Sequence, residues 1–199
     1  MPSPLGHSLM GYAICRATIR LPVAHHLKLI TLCVFAANAP DLDFLPGLFA
    51  GDLGRYHHGP SHSIVFAAVF GILAGALFPR RIYAFVMGFG LYLSHVLLDY
   101  LVQDPSPPLG VPLFWPFTGA YYMAPFAFYR PFNYPINFAE PMLSTVFSFH
   151  NFLSMMTETL ILLPVLVFVS WYKRTTLRSD NVPISRCSRG AAEQSKNKE

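Results

Sequence analysis

Residues 82–103 read IYAFVMGFGLYLSHVLLDYLVQ, and this stretch decides the fold. About twenty residues of helix extend roughly 30 Å, the hydrocarbon thickness of a bilayer. Apolar side chains fill most of it, yet His95 and Asp99 stand four apart near one end, sharing one helix face a turn from each other. Ionisable side chains at membrane depth are costly and mark function by default. The stretch therefore predicts a spanning helix that carries an imidazole and a carboxylate.

Other helices follow on either side. His7 to about Ala24 is apolar but carries Arg16 and Arg20 on one face, so this helix lies at the interface or tilts through it. Leu27 to Ala39 forms the next and is stopped by Pro40, because a residue preceding proline is pushed out of the helical region. A third starts near Pro60, whose missing N–H costs nothing in a first turn, and runs to Phe78, where Pro79-Arg80-Arg81 closes it. The last, Met155 to Tyr172, ends in Trp171-Tyr172-Lys173-Arg174, an aromatic belt followed by a charged anchor. Between the last two, Asp104 to Asn151 holds nine of the eighteen prolines and many aromatic residues. It is predicted to be an irregular loop that either folds back on the headgroup region or covers a substrate. The expected class is all-α: a multi-helix integral membrane bundle with a long aromatic, proline-rich loop. One domain spans residues 1–172, and 173–199 form a disordered basic tail.

Composition supports this. Of 199 residues, 53% are apolar and 12% charged, half the charge of an ordinary soluble domain, which excludes a disordered chain or a coiled coil. Three cysteines without a Cys-x-x-Cys pair exclude a disulfide scaffold. The first residues lack the cationic start of a signal peptide, so the first helix is expected to be retained. Residues 1–172 balance at seven cations and seven acids, whereas 173–199 carry seven cations against three acids. Such a tail suits anionic lipid or a protein partner. No aromatic residue interleaves its charges, so nucleic acid is not an expected partner.

The cations also predict sidedness. Arg80 and Arg81, Lys173 and Arg174, and the group of Arg16, Arg20 and Lys28 all fall on one side, which the positive-inside rule makes cytoplasmic. The expected location is the plasma, or inner, membrane, with several passes and a cytoplasmic tail. His7, Asp41, Asp43, His57, His58, His62, His95 and Asp99 then gather on the extracytoplasmic face. His25 and His26 fall on the cationic side and are assigned to a turn, and His150 stays open.

Each motif has a chemical reading. PDLDF, residues 40–44, brings Asp41 and Asp43 so close that a cation or proton must lie between them. HHGPSHS, residues 57–63, crowds three histidines around a helix start. Together with His7, His95 and Asp99 these ligands exceed the needs of one four-coordinate zinc and suit two or three divalent ions, zinc first and manganese second. A pair of such ions suits displacement at phosphorus, so hydrolysis of a phosphoester, lipid-like and reaching the site laterally, is the expected activity. His58 is expected to contact substrate or move a proton, with Asp43 beside it, and Trp115 and Phe117 to line the entrance. A metal transporter or sensor and a non-catalytic scaffold are the alternatives.

Gly6-His7, PDLDF, HHGPSHS, SHVLLDYL (94–101) and LFWPF (113–117) together resemble the YdjM-like family of LexA-binding, inner membrane-associated, metal-dependent hydrolase-like proteins. The resemblance covers about the first 117 residues. It implies a helical fold at the inner membrane and a His/Asp arrangement similar to that of zinc-dependent phospholipases C. Family members typically read His-Arg-Gly-x-Thr-His-Ser where this chain has residues 57–63, so His57, His62 and Ser63 carry over, Ser61 replaces threonine and His58 stands at the arginine position.

Overall fold

The computed structural model of the protein describes residues 1–18, 27–102, 109–128, 130–135 and 141–180, the last four of these by backbone alone. Its helices are α1 (Pro4–Thr18), α2 (Leu27–Asn38), α3 (Phe44–Ala50), α4 (Ile64–Leu77), α5 (Arg81–Tyr100), α6 (Met142–Val146) and α7 (Phe149–Asp180). Among the described residues no strand forms, and one isolated antiparallel bridge joins Val111 to Tyr122. The protein is all-α. The predicted end of the first helix, with Arg20, His25 and His26, lies outside the described residues, as do Cys187 and the tail from residue 181.

Helix α2 ends at Asn38, just before Pro40 as expected, but the chain then differs from expectation in staying wound: Ala39–Asp43 form a 3₁₀ turn with the proline in its first turn, where no N–H is required, and lead into α3. Leu27–Ala50 thus becomes one apolar path of 24 residues. Helix α7 begins at Phe149 and runs past Tyr172 to Asp180, with Pro164 inside it. Among the described residues, three segments are long and apolar enough to cross a membrane: Leu27–Ala50, α5, and Met142–Thr176. Helix α4, with 14 residues, is shorter.

Helix α5 is the central post, packed against α4, α2 and α1, while α7 packs on α1. Small residues permit these approaches, as expected where lipid supplies no hydrophobic drive between helices. A Cβ on Gly88 would lie 2.8 Å from that of Ala74, and one on Gly11 would lie 2.7 Å from that of Ala37. The outer faces of α4 and α7, including Ile72, Leu77, Leu160, Val167, Phe168 and Trp171, are exposed and apolar, a surface matched to lipid.

The long loop works as a strap across one end of the bundle. Its Leu113 carbonyl accepts from Ile64 N at 3.0 Å, and Ala124 N donates to Tyr100 O at 2.8 Å. Backbone groups left over at the start of α4 and the end of α5 are thereby satisfied. Further along, Arg130 O accepts from Ser154 Oγ at 2.8 Å, Phe132 N donates to Met1 O at 2.9 Å, and Asn151 holds Asn133 through two bonds of 2.7 Å. His150, in the first turn of α7, anchors this strap, with Nε2 2.8 Å from Pro131 O.

The chain's beginning is buried rather than loose. Ser3 N donates to Glu158 Oε1 on α7 at 2.7 Å and Ser3 Oγ to Glu158 Oε2, while Ser3 Oγ itself accepts from Gly6 N at 3.2 Å. Ser154 Oγ adds a bond of 3.3 Å to Glu158 Oε1. At its other end, α1 meets α7 again through Lys173 Nζ, which donates to Arg16 O at 2.6 Å. Cationic residues and His7 therefore occupy opposite ends of α1.

Candidate metal centre

Four pieces of chain bring ligands to one place. His7 comes from α1, Asp41 and Asp43 from the 3₁₀ turn after α2, His57, His58 and His62 from the loop before α4, and His95 and Asp99 from α5. The i, i+4 spacing on α5 sets His95 Nε2 3.1 Å from Asp99 Oδ2. His62 Nε2 is 3.3 Å from the same oxygen, and His7 Nε2 is 3.7 Å from Asp99 Oδ1. Asp41 Oδ1 lies 3.3 Å from His95 Nε2, 3.8 Å from His62 Nε2 and 3.9 Å from His57 Nδ1. His7 stacks on His95 with ring centres 3.6 Å apart. All eight predicted residues meet.

The cluster is nearly dry, and its hydrogen bonding is incomplete in a specific way. His7, His62, His95 and Asp99 are at most 2% exposed. Both nitrogens of His7, both oxygens of Asp99, Asp41 Oδ1, and Nε2 of His57, His58, His62 and His95 are buried with no hydrogen-bond partner. Buried polar atoms are almost always paired, so this many orphans in one spot needs an explanation. Ligand atoms fall into four groups of three, each within 4.8 Å: His57–His58–His62, His7–His95–Asp99, Asp41–His62–His95 and Asp41–Asp43–His57. The donor set of imidazole and carboxylate suits zinc or manganese, and these buried groups are able to hold a metal ion.

The remaining nitrogens are tied down. His95 Nδ1 donates to Ala37 O at 2.8 Å, the outer-shell contact that typically orients a ligating histidine. Asp43 serves two rings, with Oδ1 3.0 Å from His57 Nδ1 and Oδ2 3.1 Å from His62 Nδ1, and Oδ2 also accepts from Ser61 Oγ at 2.7 Å. Tyr92 on α5 fixes this loop by donating to Ser61 O at 2.9 Å.

Protonation differs among His7, His58 and His62, which lie outside the spanning segments. Burial, then the neighbouring His95 ring, push His7 down to about 3. Burial and His57 likewise hold His58 well below the ordinary histidine value. Burial works the same way on His62 but is outweighed by Asp41, Asp43 and Asp99, which hold its pKa well above the ordinary value. A metal ligated by His62 must displace a proton, and since Nδ1 is engaged by Ser61 Oγ at 3.1 Å with Asp43 Oδ2 beside it, the proton lost is the one on Nε2. Below the raised pKa, zinc affinity is expected to rise about tenfold per pH unit and to flatten above it. Competition titrations between about pH 6 and about pH 8 check this, and a flat profile there contradicts it.

Of the aromatic residues expected at the entrance, Trp115 rests against Phe66 of α4 with ring centres 5.8 Å apart, and Phe117 is 86% exposed. Two further aromatic residues touch the centre: Phe44 stacks on His57 at 4.0 Å and Tyr134 meets the same ring edge-on at 5.3 Å. Phe44 had a signal, standing next to Asp43 in PDLDF. Tyr134 had none, because nothing local ties a loop residue to a histidine 77 positions away. Glu158, a lone acid in an apolar helix, carried a signal that the pattern of histidines overshadowed.

No curated protein and no solved structure gives a match. A family model described as YdjM inner membrane protein matches residues 1–177, from before α1 to within the last turn of α7, and so includes every residue of the centre. With that match over most of its length, the chain belongs to the YdjM inner membrane protein family.

Proposed function

We propose that the protein is a membrane-bound, metal-dependent hydrolase that cleaves a phosphoester in a lipid-like substrate, with two or three divalent ions, zinc first and manganese second. The convergence of buried, unpartnered His and Asp atoms from four chain segments carries this reading. Ions bound there would supply an activated water and charge stabilisation at phosphorus. The chain's own residues hold the rings at fixed angles, exclude bulk water, and present Phe44 and Tyr134 as flat apolar surfaces suited to an acyl chain. The cationic ends at Arg16, Arg80 and Lys173 favour a cytoplasmic location for that side and for the tail, which puts the centre on the extracytoplasmic face.

A transporter needs polar stations continuing toward the cationic end. Buried polar side chains among the described residues are His7, His57, His58, His62, Ser63, His95 and Asp99 at the centre, with Ser3, Asn151, Ser154 and Glu158 at the strap, and none lies near Arg80. This favours the hydrolase. Purified full-length protein, loaded with zinc in detergent, is expected to release phosphate or a phosphorylated headgroup from phospholipid or lipid phosphate substrates, and His95→Ala is expected to abolish it. Zinc-loaded protein that turns over no phosphoester in a broad panel would reject the reading.

A further inference from the structure

Hydrogen-bond partners divide the eight residues in a way their types alone do not. Seven carry an unpartnered buried atom: His7, Asp41, His57, His58, His62, His95 and Asp99. Asp43 does not, because each of its oxygens is engaged by a ring nitrogen or a hydroxyl. An ionised carboxylate only accepts, so Asp43 keeps a proton on His57 Nδ1 directly; at His62 it draws the Ser61 hydroxyl hydrogen, so Ser61 Oγ, 3.1 Å from His62 Nδ1, accepts from that ring with Asp43 Oδ2 close by, and Nε2 of each histidine is left as the metal-facing atom.

His58 completes a set with those two. One ring nitrogen from each of His57, His58 and His62 lies within 4.8 Å of the others, and the ring centres are 4.2, 5.0 and 5.1 Å apart. Ligands of a tetrahedral zinc at its usual bond length stand about 3.3 Å apart, so closing on an ion requires only a small contraction. His58 is also the one non-glycine residue with a positive φ, 57°, among the described residues. A left-handed backbone brings the Cβ too close to the following carbonyl oxygen and is costly for most residues other than glycine. The adjacent Gly59, which would adopt it freely, is at −79° instead, and a Cβ there would lie 2.8 Å from Tyr56 O. Strain is thus placed on the histidine, and it persists where the ring's position is needed.

We propose that His58 is a metal ligand, completing a three-histidine site with His57 and His62, and that Asp43 is the positioning residue that fixes two of those rings. This rests on the metal centre of the proposed function. A second ion then belongs to His7, His95 and Asp99, with Asp41 between the two sites, since its Oδ1 faces rings of both. The two sites differ in charge. Three imidazoles would give the first no negative ligand beyond the shared Asp41, whereas the second would have Asp99 as well, so the first is the better suited to an anionic phosphoryl oxygen.

The test is zinc stoichiometry and affinity of the full chain in detergent, together with the visible spectrum of the cobalt-loaded form. Wild-type protein is expected to bind two equivalents. His58→Asn, whose replacement tolerates the left-handed backbone, is expected to keep one and weaken the other more than about 100-fold, with loss of part of the tetrahedral cobalt absorption. His58→Gly makes the same measurement if the asparagine variant folds poorly. Asp43→Asn is expected to keep both equivalents with affinity lowered about 10- to 100-fold and shifted cobalt bands. Two equivalents at wild-type affinity in the His58 variants, or a whole equivalent lost in Asp43→Asn, overturns the assignment while leaving the metal centre standing. Wild-type protein that binds no zinc overturns both.

Discussion

Asp99→Asn is expected to lower zinc affinity by about 10³-fold, or about 4 kcal/mol, while leaving the metal-free protein as heat-stable as the wild type to within a few degrees. The carboxylate is buried beside three imidazoles, at 3.1 Å from His95, 3.3 Å from His62 and 3.7 Å from His7, and neither oxygen has a hydrogen-bond partner. An amide of the same shape keeps the packing, and Asp41 and Asp43 remain beside His62 to pair with its ring. The amide loses the anionic oxygen that a divalent ion needs. Binding and stability therefore separate in this variant, which a merely structural carboxylate would not allow. Competition titration and thermal unfolding of the same preparation read both, and wild-type affinity in Asp99→Asn would exclude Asp99 as a ligand.

Glu158→Leu is expected to act in the opposite manner, on the scaffold first and on the metal second. Two donors from Ser3 and one from Ser154 converge on this buried carboxylate. Removing it strands them in an apolar setting at a cost of about 3 kcal/mol or more. Gly6 has no Cβ because one would sit 2.7 Å from Glu158 Oε2, so the start of α1 is shaped around this group. His7 lies one residue further and its N bonds back to Ser3 O at 3.3 Å. Loosening Ser3 should therefore free His7, lower the unfolding temperature and weaken zinc about tenfold, with Glu158→Gln intermediate because it keeps one acceptor oxygen. A Leu variant with unchanged unfolding temperature and zinc affinity would remove Glu158 from any role in placing the ligand.

These two residues also show what a sequence reveals and what it hides. Asp99 was legible because a helix repeats every 3.6 residues, so His95 and Asp99 must share a face whatever surrounds them. PDLDF and HHGPSHS were legible as dense local groupings, and His7 entered through the charge count that placed it on the same end as the others. The expected separation of ends reappears in the contact of Lys173 with Arg16, far from His7. Partnerships such as Ser3 with Glu158, or His57 with Tyr134, join residues 155 and 77 positions apart, and no periodicity encodes them. The division of labour between Asp41 and Asp43 was hidden for a different reason. Both are acids two residues apart in one turn, and only the positions of the His57 and His62 nitrogens distinguish ligand from orienting group.

Helix α4 has 14 residues and α5 has 20, and the two meet at Pro79 and Arg80, so at 1.5 Å per residue the first stops about 9 Å short of the second. Tyr92 fixes that offset by bonding to Ser61 O, level with the middle turns of α5. A bilayer flanking so short a wall would thin to match it. Under the proposed function, the phosphate groups of neighbouring lipids would then sink toward the His57–His62 loop, and no lipid would need to be lifted out to meet the imidazoles.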